Sequence, residues 1–174
     1  KDKIVGAQTY IIDKKFIQSN STKSIPELLA KLPGIKIKDL RGGGLGASQS
    51  IDIRGFGDTA TKNTLILLNG QRLTNIDLSL VDFTTIPRDS IDRIEVIMGN
   101  SAVLFGNNAT AGSINIITDQ SIKKGDQLNA NLSVGSLGKF GSYLSGTKTK
   151  DNFSVKGNHN LIFSDGYRRN SGYY

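Results

Sequence analysis

The sequence has 174 residues, enough for one domain with its own core and part of a second. Its 37% apolar and 21% charged residues exclude disorder throughout, and no run approaches the ~20 apolar residues of a membrane helix. Zero cysteines exclude a disulfide frame and thiolate metal sites, while the net charge of +7 is spread along the chain, with Lys14-Lys15 and Lys123-Lys124 as pairs rather than patches, so no nucleic-acid partner is expected.

Gln8 to Asp13 alternates around Tyr10 and Ile12 and predicts a short strand, with a helical turn over Lys14 to Gln18. Ser24-Ile25-Pro26-Glu27 is a capping box with proline in the first turn. It starts a helix whose apolar face carries Ile25, Leu28, Leu29 and Leu32 and which Pro33-Gly34 stops. Ile35 to Lys38 has the period of a half-buried strand. Arg41 to Ser50, with four glycines, predicts an exposed loop.

Ile51 and Ile53 restart a strand, and Thr64 to Leu68 is an apolar one. Asn69-Gly70 after it is a hairpin signal, because both central residues of a type I′ turn need positive φ. Asn75 to Phe83 reads as a loop, and Ile91 to Ile97 as a strand with Ile91, Arg93, Glu95 and Ile97 on one face. A short helix from Ser101 through Phe105 and a strand over Ser113 to Thr118 complete an α+β domain with a small mixed sheet and short helices, residues 1–120.

Gln120 to Asp126 reads as a linker. Leu128 to Val134, Phe140 to Leu144 and Phe153 to Phe163 then alternate apolar with small or polar residues, the pattern of an antiparallel transmembrane β-barrel. A soluble β-meander has the same periodicity, and residues 121–174 form this second unit.

No catalytic set is visible. His159 is the only histidine, Glu27 and Glu95 are the only glutamates, and no serine lies in a nucleophile elbow, so enzyme activity, a cofactor and a metal are not expected. Gly42-Gly43-Gly44-Leu45-Gly46-Ala47 fits the loose dinucleotide fingerprint, but a strand follows where a helix N-terminus would have to hold pyrophosphate. Asp77 and Asp82 offer hard oxygen atoms without a Ca²⁺-loop signature and read as surface residues. Arg54 and Arg93 fall within apolar strand patterns, where a guanidinium needs a carboxylate. Glu95 lies on the same strand face as Arg93, whereas Arg54 either pairs outside this domain or faces water from a strand edge.

The succession Leu32-Pro33-Gly34-Ile35, Ile53-Arg54-Gly55-Phe56, Leu65 to Gly70 and Ile94-Glu95-Val96 resembles the plug domain of TonB-dependent outer-membrane receptors, in that family's order and spacing. The resemblance covers about Gln8 to Thr118, and Val134-Gly135-Ser136, Leu144-Ser145-Gly146 and Ser164 to Arg168 resemble its first barrel strands. It implies a plug inside an outer-membrane barrel of about 22 strands, with gated uptake of a ferric siderophore, haem or cobalamin. TonB would pull a segment at or before the N-terminus, of which Lys3-Ile4-Val5-Gly6 is a remnant. Arg54 would join Arg93 and Glu95 in a plug–barrel lock, while Met98 stands where the family commonly has a second lock arginine. Asn69 replaces its usual Asp, Phe105 its Tyr and Asn100 its Pro. Ligand would meet the loops Gly42 to Gln49, Phe56 to Asn63 and Asn75 to Asp82, with Gln49, Phe56, Asp58, Thr61, Asp77 and Asp82 as candidates.

Three strands cannot close a barrel, because open edges leave backbone groups unsatisfied in lipid. The sequence is therefore expected to be part of a longer receptor. A free-standing periplasmic ligand-binding domain is the alternative reading.

Overall fold

A computed structural model describes residues 8–20, 23–39, 49–73, 81–99, 109–119, 126–136, 138–150 and 153–165. Strand β1 (Gln8–Asp13) runs directly into helix α1 (Lys14–Ser19). Asp13 makes that switch: its carboxylate accepts the Phe16 amide at 2.8 Å, satisfying one of the donors that a helix start leaves orphaned. Helix α2 (Ile25–Leu29) begins on the expected capping box, with Ser24 Oγ accepting from Glu27 N and Glu27 Oε2 accepting from Ser24 N.

The helix is shorter than its apolar pattern implies. Lys31 and Leu32 donate to Leu28 and Leu29, so the chain tightens to three-residue hydrogen bonds as Pro33 approaches. Leu32 still packs on the core from this turn. Gly34 at φ +81 then turns the chain into β2 (Ile35–Asp39), which pairs antiparallel with β3 (Gln49–Ile53). The expected loop to Ser50 is therefore shorter: Gln49 and Ser50 belong to β3, because alternation of buried Gln49, Ile51 and Ile53 extends the strand backward. Residues 40–48, including the glycine-rich fingerprint, lie outside the described residues.

Helix α3 (Ala60–Asn63) leads into β4 (Thr64–Leu68), and Asn69 and Gly70, at φ +51 and +82, form the expected hairpin turn into β5 (Gln71–Arg72). Three-residue-type helical turns at Phe83–Thr85 and Arg88–Ser90 precede β6 (Ile91–Met98), and β7 (Gly112–Thr118) follows. The sheet order is β1-β6-β7-β4-β5, antiparallel except for β4 beside β7. Residues 74–80 and 100–108 lie outside the described residues, and with them the expected Ser101 to Phe105 helix.

One face of this sheet carries aligned rows of apolar side chains. Ile12, Ile94 and Ile116 share a row, as do Tyr10, Val96, Ile114 and Ile66. They join Ile25, Leu28 and Leu29 of α2 and Ile35, Ile51 and Ile53 of the β2–β3 ribbon in one cluster. Strand β6 departs from strict alternation: a register shift between Ile91 and Arg93 buries Ile91 with Ile94 and Val96 and leaves Arg93 half-buried on the other face. The expectation that Ile91 and Arg93 share a face is thereby corrected. Met98 is buried on the apolar face.

Strands β8 (Gln127–Val134), β9 (Phe140–Lys150) and β10 (Phe153–Phe163) form a separate antiparallel meander, ordered β10-β9-β8. The linker residues 120–125 lie outside the described residues.

Candidate functional site

Three places gather the residues singled out by sequence. The first is the turn after β3. Asp52 on that strand accepts the Phe56 amide with Oδ1 at 2.8 Å and the Gly57 amide with Oδ2 at 2.9 Å, so one carboxylate fixes the whole turn. Arg54 within it adopts φ +66 and donates its amide to Gly34 O at 3.0 Å. Arg54 is thus exposed at a left-handed turn rather than held in an apolar strand, because Asp52 bends the chain out of the sheet immediately after Ile53. Its guanidinium needs no internal carboxylate to offset burial. Phe56 presents an exposed ring beside it.

The other ligand candidates separate. Gln49 is only 4% exposed, on the buried face of β3, with Ser24 Oγ 3.5 Å from its Oε1. Asp58 lies in the helical turn Gly57–Thr59 and Thr61 in α3. Asp82 caps the turn Phe83–Thr85: its Oδ1 accepts from Thr84 N at 2.9 Å and from Thr84 Oγ1 at 2.6 Å. Asp77 and the Lys3 to Gly6 segment lie outside the described residues.

The second place is the sheet face turned away from the core. Arg93 Nε donates to Glu95 Oε1 at 2.9 Å and Arg93 NH1 to Asp92 Oδ2 at 3.1 Å. The Glu95 bond and then the Asp92 bond raise the Arg93 pKa above its usual value, against a smaller desolvation. The expected Arg93–Glu95 pairing is present, and the register puts Asp13 directly across from Arg93. Two carboxylates therefore hold one guanidinium, while the Asp13 carboxylate is used at the start of α1. Asp92 went unrecognised in the sequence because alternation puts it on the opposite face; the bulge brings it back.

The third place is the meander, whose two faces differ in chemistry. Cross-strand partners share a side of a sheet. One side therefore carries Leu128, Leu132 and Val134 on β8, Phe140 and Leu144 on β9, and Phe153, Val155, Leu161 and Phe163 on β10. This side is open, with Leu128, Leu132 and Val134 76%, 77% and 75% exposed. The opposite side carries Asn129, Asn131, Ser133, Tyr143, Ser145, Thr147, Lys156, Asn158 and Asn160, with Ile162 at its end, and there Tyr143 and Ser145 are buried. A sheet with its apolar face open and its buried residues, Tyr143 and Ser145, on the polar face inverts the soluble arrangement and matches a barrel wall. Along β9 the outward band runs from Phe140 to the basic pair Lys148 and Lys150. Eleven residues at ~3.3 Å each, tilted about 40°, cover about 25 Å, the height of an outer-membrane apolar band. His159 faces outward beside Leu144.

The polar side meets the mixed-sheet unit directly. Lys139, in the turn between β8 and β9, reaches Glu27 Oε1 at 3.1 Å. Beside this ion pair lies a cavity of about 60 Å³, walled by Ser24, Ile25, Ile86 and Arg88 from one unit and Lys139, Phe140 and Ile162 from the other. Arg88 donates to the backbone oxygens of Ile17, Asn20 and Lys23.

Known proteins share this organisation. The family model described as "TonB-dependent Receptor Plug Domain" matches residues 2–113. The chain is 37% identical over 116 residues to the vitamin B12 transporter BtuB of Photobacterium profundum, covering 67% of this chain and 18% of that protein. It is 30% identical to the ferric enterobactin receptor of Pseudomonas aeruginosa, covering 87% of this chain and 22% of that one. Among solved structures, the copper transporter OprC superposes with a TM-score of 0.70 at 24% identity, over 95% of this chain and 26% of that one. The ferric enterobactin receptor PfeA, in complex with BCV-L6, superposes with a TM-score of 0.64 at 23% identity, over 93% and 25%. These two likenesses carry the fold. The chain spans about a fifth of the length of the curated relatives it matches.

Proposed function

Because this chain belongs to the TonB-dependent receptor plug family, we propose that it is the gate of an outer-membrane transporter, a plug followed by the first strands of its barrel, for active uptake of a scarce nutrient. The carrying observation is the inverted meander: an exposed apolar face suits lipid, and the polar face opposite it meets the plug at the end near Ser133 and Asn160. A free-standing soluble domain has no use for an open band of leucine, valine and phenylalanine.

The cargo is an iron chelate, haem or cobalamin, a range supported by the relatives named vitamin B12 transporter and ferric enterobactin receptor. Phe56, with Asp58 and Thr61 following it, contributes to the ligand-facing surface, and the Asp52 carboxylate holds that turn in place. Arg54, exposed at the same turn, meets a wall carboxylate; Arg93 and Glu95 face the wall as an already paired cluster. TonB engages a segment at or before the N-terminus. Strand β1 is the first element such a pull would load, and it is a sheet edge with β6 as its one neighbour among the described residues.

The test is uptake by an outer-membrane-transport-deficient host carrying the complete coding region, given labelled cyanocobalamin and labelled ferric enterobactin separately. Accumulation of either that stops when the inner-membrane proton gradient is collapsed supports the proposal. Export to the outer membrane without energised uptake of these or of haem overturns the transport reading.

A further inference from the structure

Resting on the barrel reading above, we propose that Glu27 and Lys139 form a latch between plug and wall whose polarity is the reverse of a plug-arginine lock: the carboxylate sits on the plug and the cation on the wall. The two residues are 112 positions apart and belong to different units. Glu27 serves both at once. Its Oε2 accepts the Ser24 amide at 2.7 Å and so starts α2, while its Oε1 takes Lys139 Nζ at 3.1 Å. The lysine is aimed by its own turn: Gly135 N donates to Lys139 O at 2.8 Å and Lys139 N to Ser136 O at 3.3 Å. Gly138 in that turn has φ +63, a left-handed conformation that favours glycine, and a Cβ there would also displace the Asp165 carboxylate that follows β10.

The Lys139 side chain is 15% exposed, so its ammonium needs polar partners within the protein, and the Glu27 carboxylate supplies opposite charge. The adjoining cavity leaves this contact incompletely packed: its walls mix Ile25, Ile86, Phe140 and Ile162 with Ser24, Arg88 and Lys139, so the two surfaces meet there around a void rather than as a close-packed core. Arg88 supplies the transmission. By holding the carbonyls of Ile17, Asn20 and Lys23 it gathers the end of α1 and the approach to Ser24 onto the turn before β6. Displacing β1 and α1 therefore strains the segment that positions Ser24 and Glu27. The latch lies on the path from a pulled N-terminus to the wall.

The experiment compares Glu27→Gln, Lys139→Gln, Lys139→Glu and the double variant Glu27→Gln/Lys139→Glu in the full receptor in outer membranes, reading passive entry of a bulky antibiotic with the proton gradient collapsed. Glutamine at position 27 still completes a capping box, so helix α2 is preserved. The latch predicts leakage raised about fivefold in the two single glutamine variants and further in Lys139→Glu, where two carboxylates face each other. Adding Glu27→Gln to Lys139→Glu then lowers leakage again. A purely structural role for Lys139 predicts that Lys139→Glu leaks equally whatever occupies position 27, and that result overturns the latch, as does wild-type leakage in all four variants. Heat-modifiable mobility of the wild-type protein separates the premises: without a folded barrel, the transport reading and the latch fall together.

Discussion

At the scale of single residues, Asn69 shows what an amide can do that a carboxylate cannot. At φ +51 it forms the hairpin turn, and its side chain also staples the hairpin to the neighbouring strand: Nδ2 donates to Thr118 Oγ1 and Oδ1 accepts from Thr118 N, both at 2.9 Å. Asn69→Ala removes both bonds and sets a Cβ-bearing residue without local compensation in the left-handed region, so unfolding stability should fall by about 1 to 3 kcal/mol in denaturant titrations. Asn69→Asp, the family's common residue, keeps the acceptor and should cost far less, since the Thr118 hydroxyl can rotate to donate. Thr64 makes the opposite case. Its hydroxyl is buried without a hydrogen-bond partner among the described residues, a desolvation without return. Thr64→Val keeps the shape and should raise the melting midpoint, with a gain of about 1 kcal/mol; a lowered midpoint would reveal a polar partner for Oγ1. The hairpin turn was legible at Asn69-Gly70 because it depends on two adjacent residues. The staple was not, because Thr118 lies 49 positions away.

Elements were legible where their signals are local. The α2 capping box, the β4 apolar run and the β1-to-α1 switch all follow from contiguous residues. The β6 bulge was not, because one extra residue reverses face assignment while leaving composition unchanged. Arg54 faces water, one of the two readings its sequence leaves open, but from a turn and not a strand: hydrophobic alternation continues through Ile53, and only the Asp52 carboxylate, bonded forward to Phe56 and Gly57, shows that the strand has ended. That carboxylate predicts a measurable local stability. Asp52→Ala should speed amide hydrogen exchange at Phe56 and Gly57 by about tenfold, the loss of a bond worth about 1.4 kcal/mol to an ionised acceptor, while core amides such as Ile114 keep their protection. Uniform acceleration across the sheet would instead mean that Asp52 supports the whole fold.

At the scale of the whole molecule, periodicity gives two faces to the β8–β10 meander but not their orientation, since alternation is unchanged when a sheet is turned over. Orientation comes from the Lys139–Glu27 ion pair and from Ser133, Asn160 and Ile162, which wall one cavity with Ile25 and Ile86, so the asparagine and serine side turns inward and Leu132 outward. The assignment separates a barrel wall from a soluble sheet by a pair of substitutions one residue apart. Leu132→Arg puts a guanidinium in the middle of the outward band and should weaken folding of the full receptor into lipid vesicles by about 2 to 4 kcal/mol. Asn131→Arg points to the polar side and should be nearly neutral. The contrast must vanish or reverse if the outward face meets water, because an exposed leucine in solution gives way to arginine at almost no cost. Equal folding yields for the two variants would therefore place this meander in water and remove the physical basis for the transporter.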